Sequence, residues 1–258
     1  MRIATFNVNS VRARLPILER WLAEAEPDVV ALQEVKVEDG LFPREPIEAL
    51  GYHCAVYGQK AYHGVGLLAK KPIEIVEAGL TGDGMLDDKR VLHCVVDGVA
   101  IVNTYVPNGT RVGTDKFSYK LAWLERFKEV LEERYRPEDR VVWLGDINIA
   151  PSEDDVYEPD RHVGSVGFHP EEKSRLRAIL EGGWTDCFRK FTQGEGHYTF
   201  WEYMIPNGFK RNLGWRIDHV YASPGIVGAC TDCAVDKEPR TWERPSDHTP
   251  VVATFNLE

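Results

Sequence analysis

Residues 93–106 read HCVVDGVAIVNTYV, two apolar runs joined by Asp97-Gly98. That dipeptide accepts the positive backbone dihedrals of a two-residue hairpin turn, so the flanking runs pair antiparallel. A chain with such a pair at its centre does not wind a wholly parallel sheet. Six more short runs, RIATFNV, DVVALQE, GVGLLAKK, RVVWLGD, RIDHVYAS and VVATF, join the hairpin runs RVLHCVVDG and VAIVNTYV as strand candidates. Their length and β-branched content suit buried strands. Helical periodicity appears in only three places. Leu15, Leu18, Trp21, Leu22 and Ala25 share one face, with Pro16 in the opening turn; Phe117, Leu121, Leu124, Phe127, Leu131 and Tyr135 share another, stopped near Pro137. The third is PEEKSRLRAILEGG, with Pro170 early and Gly182-Gly183 at its end. Many strands and few helices predict an α/β fold of mixed sheets covered by helices. No repeat, low-complexity stretch or Gly/Ser linker divides residues 1–258, which read as a single domain.

Each of several strand candidates ends in a polar side chain. RIATFNVNS carries Asn7 and Asn9, DVVALQE ends in Glu34, and VAIVNTYVPN reaches Tyr105 and Asn108. RVVWLGDIN delivers Asp146 and Asn148, WRIDHVYAS begins near Asp218, and PSDHTPVVATF places Asp247 and His248 just before the last run. Alone, each Asn or Asp reads as an ordinary turn former, Glu34 as the first solvated residue after its run, and His248 as a satisfied core histidine. Their joint occurrence on strands too apolar for the surface predicts a common cleft at one edge of the sheets.

Asp and Glu without cysteine are hard oxygen ligands, which predicts Mg²⁺, with Mn²⁺ as the alternative, rather than zinc. A histidine beside an aspartate stays partly cationic, and Asn and Tyr add neutral donors. Together these residues suit metal-assisted attack of water on a phosphate ester. No serine or cysteine has a base beside it in sequence, which disfavours a covalent route. Lys and Arg number 31 against 41 Asp and Glu, a formal charge of −10. This argues against a broad basic surface for nucleic acid, but a bound divalent cation reverses the local field.

The remaining signals are weaker. Gly64-Val65-Gly66-Leu67-Leu68-Ala69 spells G-x-G-x-x-A, but Pro72 follows and the run reads as strand, so a dinucleotide site is rejected. Five scattered cysteines, including the lone pair Cys230 and Cys233, read as reduced thiols rather than a zinc site. With a strand beginning directly after Met1 and no apolar run long enough for a bilayer, a cytoplasmic protein without a membrane segment is expected. SEDDVYEPD reads as a solvated loop, and His162 and His169 are too widely spaced for a ligand pair.

FNVNSVRAR, PDVVALQEVK, GVGLLAK, NTYVPNG, GDINIAPS, FHPEE, YTFWEYM, GWRIDHVYAS and PSDHTPV occur in that order along the chain. In this the sequence resembles the exonuclease III type of apurinic/apyrimidinic endonucleases, within the wider group of Mg²⁺-dependent endonucleases, exonucleases and phosphatases that includes DNase I. PSDH-x-P and GD-x-N belong to the whole superfamily; YTFWEYM and GWRID are narrower. The resemblance implies a DNase I-like, four-layered α/β sandwich of two packed mixed β-sheets flanked by helices. It implies metal binding by Glu34 with Asn7, Asp247 and Asn9, the last standing where some relatives carry Asp. Asp146 would align or deprotonate the attacking water with Asn148. His248, oriented by Asp218, would hold the scissile phosphate together with Tyr105. Phe200, Trp215 and Ile217 would line a small pocket for a base-free deoxyribose, and Asn108, Arg90 and Lys120 would contact substrate, the two cations through exposed phosphate contacts. The implied activity is hydrolysis of duplex DNA 5′ to abasic sites, leaving a 3′-hydroxyl, with 3′–5′ exonuclease or 3′-end cleaning on blocked ends, by a monomer. Two rivals stand beside it. A superfamily relative acting on a phosphoinositide, sphingomyelin or RNA phosphoester would explain PSDHTPV but not YTFWEYM or GWRID. A non-catalytic binding module would not need the intact polar set.

Overall fold

The hairpin anchors the second of two sheets. In the computed structural model, which describes residues 1–82, 84–86 and 88–257, Val91–Val96 pairs antiparallel with Val99–Tyr105, and Asp97 (φ 50°) and Gly98 (φ 75°) make the turn. In chain order the strands are β1 (Arg2–Asn7), β2 (Val29–Gln33), β3 (His53–Tyr57), β4 (Val65–Ala69), β5 (Glu74–Ala78), β6 (Val91–Val96), β7 (Val99–Tyr105), β8 (Val141–Asp146), β9 (Thr185–Asp186), β10 (Asp218–Ala222), β11 (Cys230–Val235) and β12 (Val251–Phe255). The helices are α1 (Leu15–Ala25), α2 (Arg44–Glu48), α3 (Asp115–Arg134), α4 (Pro170–Leu180), α5 (Cys187–Phe191) and α6 (Pro224–Val227).

Each sheet has six strands, in the orders β11-β12-β1-β2-β4-β3 and β5-β6-β7-β8-β10-β9. Each contains one parallel pair, β1 with β2 and β7 with β8, and is otherwise antiparallel. A parallel pair needs a crossover, and the two long amphipathic helices α1 and α3 supply them. This topology places the site. Parallel neighbours finish at the same edge, and antiparallel neighbours start there. The carboxyl ends of β1, β2, β7 and β8 therefore meet the amino ends of β10 and β12, with Asp146 opposite both Tyr105 and Asp218.

Side chains alternate across each strand, so each sheet has an inner and an outer apolar face. Ile3, Val29, Ala31 and Leu67 of one sheet meet Cys94, Ile101, Val142, Leu144 and Val220 of the other in a shared core. On the outer faces Leu18, Trp21 and Leu22 of α1 cover Phe6, Leu32 and Leu68, while Trp123, Phe127 and Leu131 of α3 with Leu176 and Ile179 of α4 cover Trp143 and Tyr221. Helix, sheet, sheet and helix make the four layers that the resemblance implies. Burying each large apolar side chain contributes about 1.5–3 kcal/mol. One polar seam crosses the inner core: Gln33 Nε2 donates to Asn103 Oδ1 at 2.7 Å, and Asn103 Nδ2 donates to the carbonyls of Leu32 (3.0 Å) and Gly66 (2.8 Å).

Candidate active site

At the converging strand ends polar side chains form one chain of contacts, hydrogen-bonded except for a single ion-pair link at 3.8 Å. His248 Nδ1 lies 2.8 Å from Asp218 Oδ2, and its Nε2 lies 3.8 Å from Asp146 Oδ2. Asn7 Nδ2 donates to that same Asp146 oxygen at 2.8 Å and to Glu34 Oε1 at 2.9 Å, so one buried amide spaces two carboxylates. The other Asp146 oxygen accepts the Asn148 backbone N–H at 3.0 Å. Asn148 is pinned in turn, donating to Val106 O and accepting from Asn108 Nδ2, each at 3.0 Å. Asn9, Glu34 and Asn148 all adopt left-handed backbone, with φ of 43°, 51° and 54°. Non-glycine residues held there are mildly strained, and such strain gathers where side chains must be aimed. Gly145 has a different reason. At φ 144° it lies against β7, and a Cβ there would sit 1.9 Å from Thr104 O. The glycine of the GD-x-N motif is thus what lets Asp146 reach the rim.

Charge is unevenly shared along the chain of contacts. Burial alone would drive the His248 imidazolium down, but Asp218 and Asp146 outweigh it and raise the group well above its usual range. Burial raises the Asp146 carboxyl, with Asp218 and Glu34 adding to it and His248 opposing. Burial also works to raise Glu34, yet Lys36 at 2.8 Å and Asn7 leave it below the ordinary value and ionised. Tyr105 is pushed well above its normal value by burial and by those two carboxylates, so its hydroxyl stays a donor. Glu34, Asp146 and His248 each offer a donor atom within 4.8 Å of the others. The Glu34 and Asp146 carboxylates, in a cleft of about 510 Å³, are hard oxygen donors that fit a divalent cation, while the cationic His248 beside them is not a ligand.

An apolar recess opens beside this chain, lined by Phe200, Trp215 and Ile217 with Tyr157, His162 and Gly167. The Phe200 ring lies tilted against His248, ring centroids 4.8 Å apart, so the recess and the imidazole share one wall. His162 stands edge-on to Trp215 at 4.9 Å.

Residues 4–248 match the endonuclease/exonuclease/phosphatase family. The chain belongs to that family. It is 33% identical to the exodeoxyribonuclease III of Haemophilus influenzae over 99% of this chain and all of that one. Among solved structures, an AP endonuclease from Archaeoglobus fulgidus superposes with a TM-score of 0.96 at 39% identity, covering both chains fully. The 3′ phosphatase NExo from Neisseria, bound to a product DNA hairpin, does so with a TM-score of 0.95 at 37% identity, again over both full chains.

Within this family member the expected residues do not all converge. Asp146, Asn148, His248, Asp218, Tyr105, Glu34 and Asn7 do, and Phe200, Trp215 and Ile217 border them. Asp247 lines the same cleft but its carboxylate accepts from Asn9 Nδ2 at 2.9 Å, and Asn9 accepts from Lys36 at 2.5 Å. Of the expected ligand set, Glu34 and Asn7 bond each other directly, whereas Asp247 and Asn9 form a separate pair. Two expectations need correction. Lys120 is not an exposed phosphate contact; it is fully buried, paired with Glu172, and donates to the carbonyls of Asn148 (2.8 Å) and Asn108 (3.2 Å). Arg90 is buried as well, bound to Asp88 at 2.6 Å and stacked over Tyr105 at 4.7 Å, so it backs the tyrosine and is not exposed to a backbone. Both cations were expected at the surface because a lysine or arginine read alone is a surface residue. No motif in the sequence singles out Lys36, Thr199 or Ser246, yet each orders the cleft. Lys36 stands two residues from Glu34, the one local signal available. Thr199 Oγ1 accepts from the N–H groups of Ile217 and Asp218, each at 3.1 Å, and Ser246 Oγ donates to Asn7 O at 2.7 Å. His162, set aside as half of a ligand pair, instead forms part of the recess.

Proposed function

We propose that this protein is a Mg²⁺-dependent DNA repair phosphodiesterase that cuts the backbone 5′ to abasic sites in duplex DNA, leaving a 3′-hydroxyl, and that also trims or cleans 3′ ends. The observation that carries this is the adjacency of one chain of acid, amide and imidazole contacts to an apolar recess. The site is complete within one chain, which supports a monomer acting from residues 1–258 as one domain. Among the described residues no helix is long and apolar enough to cross a membrane, and a cytoplasmic enzyme is part of the proposal. The names of the relatives, an exodeoxyribonuclease III, an AP endonuclease and a 3′ phosphatase, all describe phosphoester hydrolysis at DNA ends or lesions.

In this reading Glu34 is the central metal ligand, with Asp247 and the amides of Asn7 and Asn9 around it. The cation, when bound, supplies positive charge to the phosphate and Lewis acidity at the reacting oxygen. The chain's own residues do the rest. Asp146, fixed by Asn7 and Asn148, accepts a proton from the attacking water as its oxygen bonds phosphorus. The bond from phosphorus to the 3′ oxygen breaks, and the departing oxygen takes a proton from solvent, which leaves the 3′-hydroxyl. His248, kept cationic by Asp218, neutralises a non-bridging oxygen in the transition state, and Tyr105 donates to the same group. Phe200, Trp215 and Ile217 admit a sugar without a base; extruding one costs less than unstacking a paired nucleotide, for which a few kcal/mol is typical.

The test is a duplex oligonucleotide with a single tetrahydrofuran site, incubated with Mg²⁺ and again with EDTA. Metal-dependent cutting at the lesion is expected. Absence of cutting, with turnover of a soluble inositol phosphate, would replace this reading with the phosphoinositide one. Asp146→Asn should keep fold and DNA affinity and lose about a thousandfold or more in kcat, because alignment survives while proton acceptance does not. Wild-type turnover in that variant would remove Asp146 from the reaction.

A further inference from the structure

Four segments that lie outside both sheets form a small ribbon at the cleft. Val156 bridges to Trp215, Trp215 to Phe200, and Phe200 to His248, each antiparallel. Backbone bonds run the length of it: Arg216 N–H to Asp155 O at 2.8 Å, Tyr157 N–H to Gly214 O at 3.0 Å, Trp215 N–H to Phe200 O at 2.9 Å, Trp201 N–H to Asp247 O at 2.9 Å and Thr249 N–H to Thr199 O at 2.8 Å. Residues opposite one another across such bridges share a face. The recess wall and the phosphate-facing imidazole are therefore carried on a single row.

The outer end of that row is held by charge. Arg216 follows Trp215 directly and is buried. Its Nε lies 2.6 Å from Asp155 Oδ1 and its Nη2 lies 2.8 Å from Asp186 Oδ2. Its third side donates to His219 Nδ1 at 3.0 Å, which makes Nε2 the protonated nitrogen, donating to Ile149 O at 3.0 Å. Asp155 is further tied to Arg189 and to Ser152, whose Oγ donates to Oδ2 at 2.7 Å. One guanidinium thus fastens the loop after β8, the short β9 and the start of β10 to the residue that lines the recess. Desolvation offsets most of the attraction in a buried cluster of this kind, so stability is a weak reason for it. Its distinct contribution is geometric. Three partners in one plane require a fork, and a lysine has none.

The geometry points to Arg216 as a specificity-positioning residue: by holding Trp215 and Ile217 against the 155–157 segment it sets the width of the recess, and so admits a base-free deoxyribose while excluding an intact nucleotide. It touches no substrate and acts through its two neighbours. This rests on reading the cleft as an abasic-site nuclease.

Arg216→Lys is the direct probe, with Asp155→Asn, nearly isosteric, as the second variant should the first fail to fold. Both are compared with wild type by hydrogen exchange across 155–157, 199–201 and 214–216, by kinetics on tetrahydrofuran-containing and undamaged duplexes, and by hydrolysis of bis(p-nitrophenyl) phosphate, too small to need the recess. Exchange in the ribbon should rise about tenfold while the rest of the chain keeps its protection. KM on the lesion duplex should rise about tenfold with kcat within about threefold, and preference for lesion over undamaged duplex should fall about tenfold. The small diester should be turned over as by wild type. Parallel loss on all substrates would mean a purely structural role, and an unchanged lesion preference would overturn the proposal as well. If wild type itself fails to cut the lesion duplex, the nuclease reading falls, while the exchange data still decide whether Arg216 holds the ribbon.

Discussion

Lys120 shows how much one side chain's environment changes its meaning. Its ammonium lies under Asn148, between α3 and α4, where Glu172 answers its charge and accepts in turn from the backbone of Gly167 (2.8 Å) and His169 (3.1 Å). Removing one partner of such a pair strands a buried charge, which typically costs about 3–5 kcal/mol, whereas removing both is far milder. Lys120→Met should therefore lower the denaturant-unfolding free energy by about that amount, and Lys120→Met/Glu172→Gln should recover much of it, a double-mutant cycle that reads the coupling directly. The same variant separates two roles in DNA binding. Loss of a true phosphate contact would flatten the log affinity against log salt plot by about 0.9, and a buried positioning lysine should leave that slope unchanged. A shallower slope for folded Lys120→Met would restore the phosphate contact that burial rules out.

At the scale of elements, the strands that were legible are those whose apolar content serves two buried faces. All eight anticipated runs are strands, because β-branched residues between turn formers admit few other readings, and α1, α3 and α4 were readable from their stripes. β3, β5, β9 and β11 were not. Strand β5 is largely exposed, and β9 has only two residues. In β11 a bulge between Cys230 and Asp232 breaks the alternation, which is why two cysteines three apart both turn inward. The polar rim was legible as a set, since strand ends mark it, but the ribbon that carries Trp215 and Phe200 was not. Its segments are shorter than any periodicity can register, and its bridged partners are separated by up to about a quarter of the chain. Glycines hint at such close approaches without saying to what. Gly145 is the sharpest case, because its Cβ position is filled by the backbone of Thr104. Gly145→Ala should shift β8 from β7 and withdraw Asp146, so lesion cutting should fall at least about a hundredfold and thermal stability should drop, since a residue strained at φ > 0 loses more than Ala gains in the unfolded chain. Near-wild-type cutting by that variant would mean that the strand end tolerates the displacement.

For the whole molecule, a formal charge of −10 and a DNA substrate are compatible only if attraction is local, which the cation-seeking carboxylates and the cationic His248 provide. Acidification would reduce the overall repulsion from DNA, but the fold sets a limit on it. Two histidines are buried as neutral rings. Burial lowers His93, which lies beside the Tyr135 hydroxyl at 3.1 Å, from 6.5 to about 4, and burial together with Arg216 lowers His219 to about 4. Asp155 is also depressed, burial opposing and Arg216 prevailing. Where the folded value lies below the unfolded one, the unfolded chain takes up the proton first. The histidine contributions are thus complete above about pH 6.5 and drain away as pH falls toward 4, and that of Asp155 follows below the carboxylate range. His248 and Asp146 are shifted the other way, so the sum over the molecule is not the informative quantity; a difference between variants is. His93→Phe keeps a ring in the core and removes the proton. Between pH 7 and pH 4 the unfolding free energy of wild type should fall by about 3 kcal/mol more than that of the variant, a gap measured by urea unfolding at each pH. Equal pH dependence in the two proteins would mean that His93 finds water or an acceptor when protonated, and that the sheet beneath Tyr135 opens more readily than its packing implies.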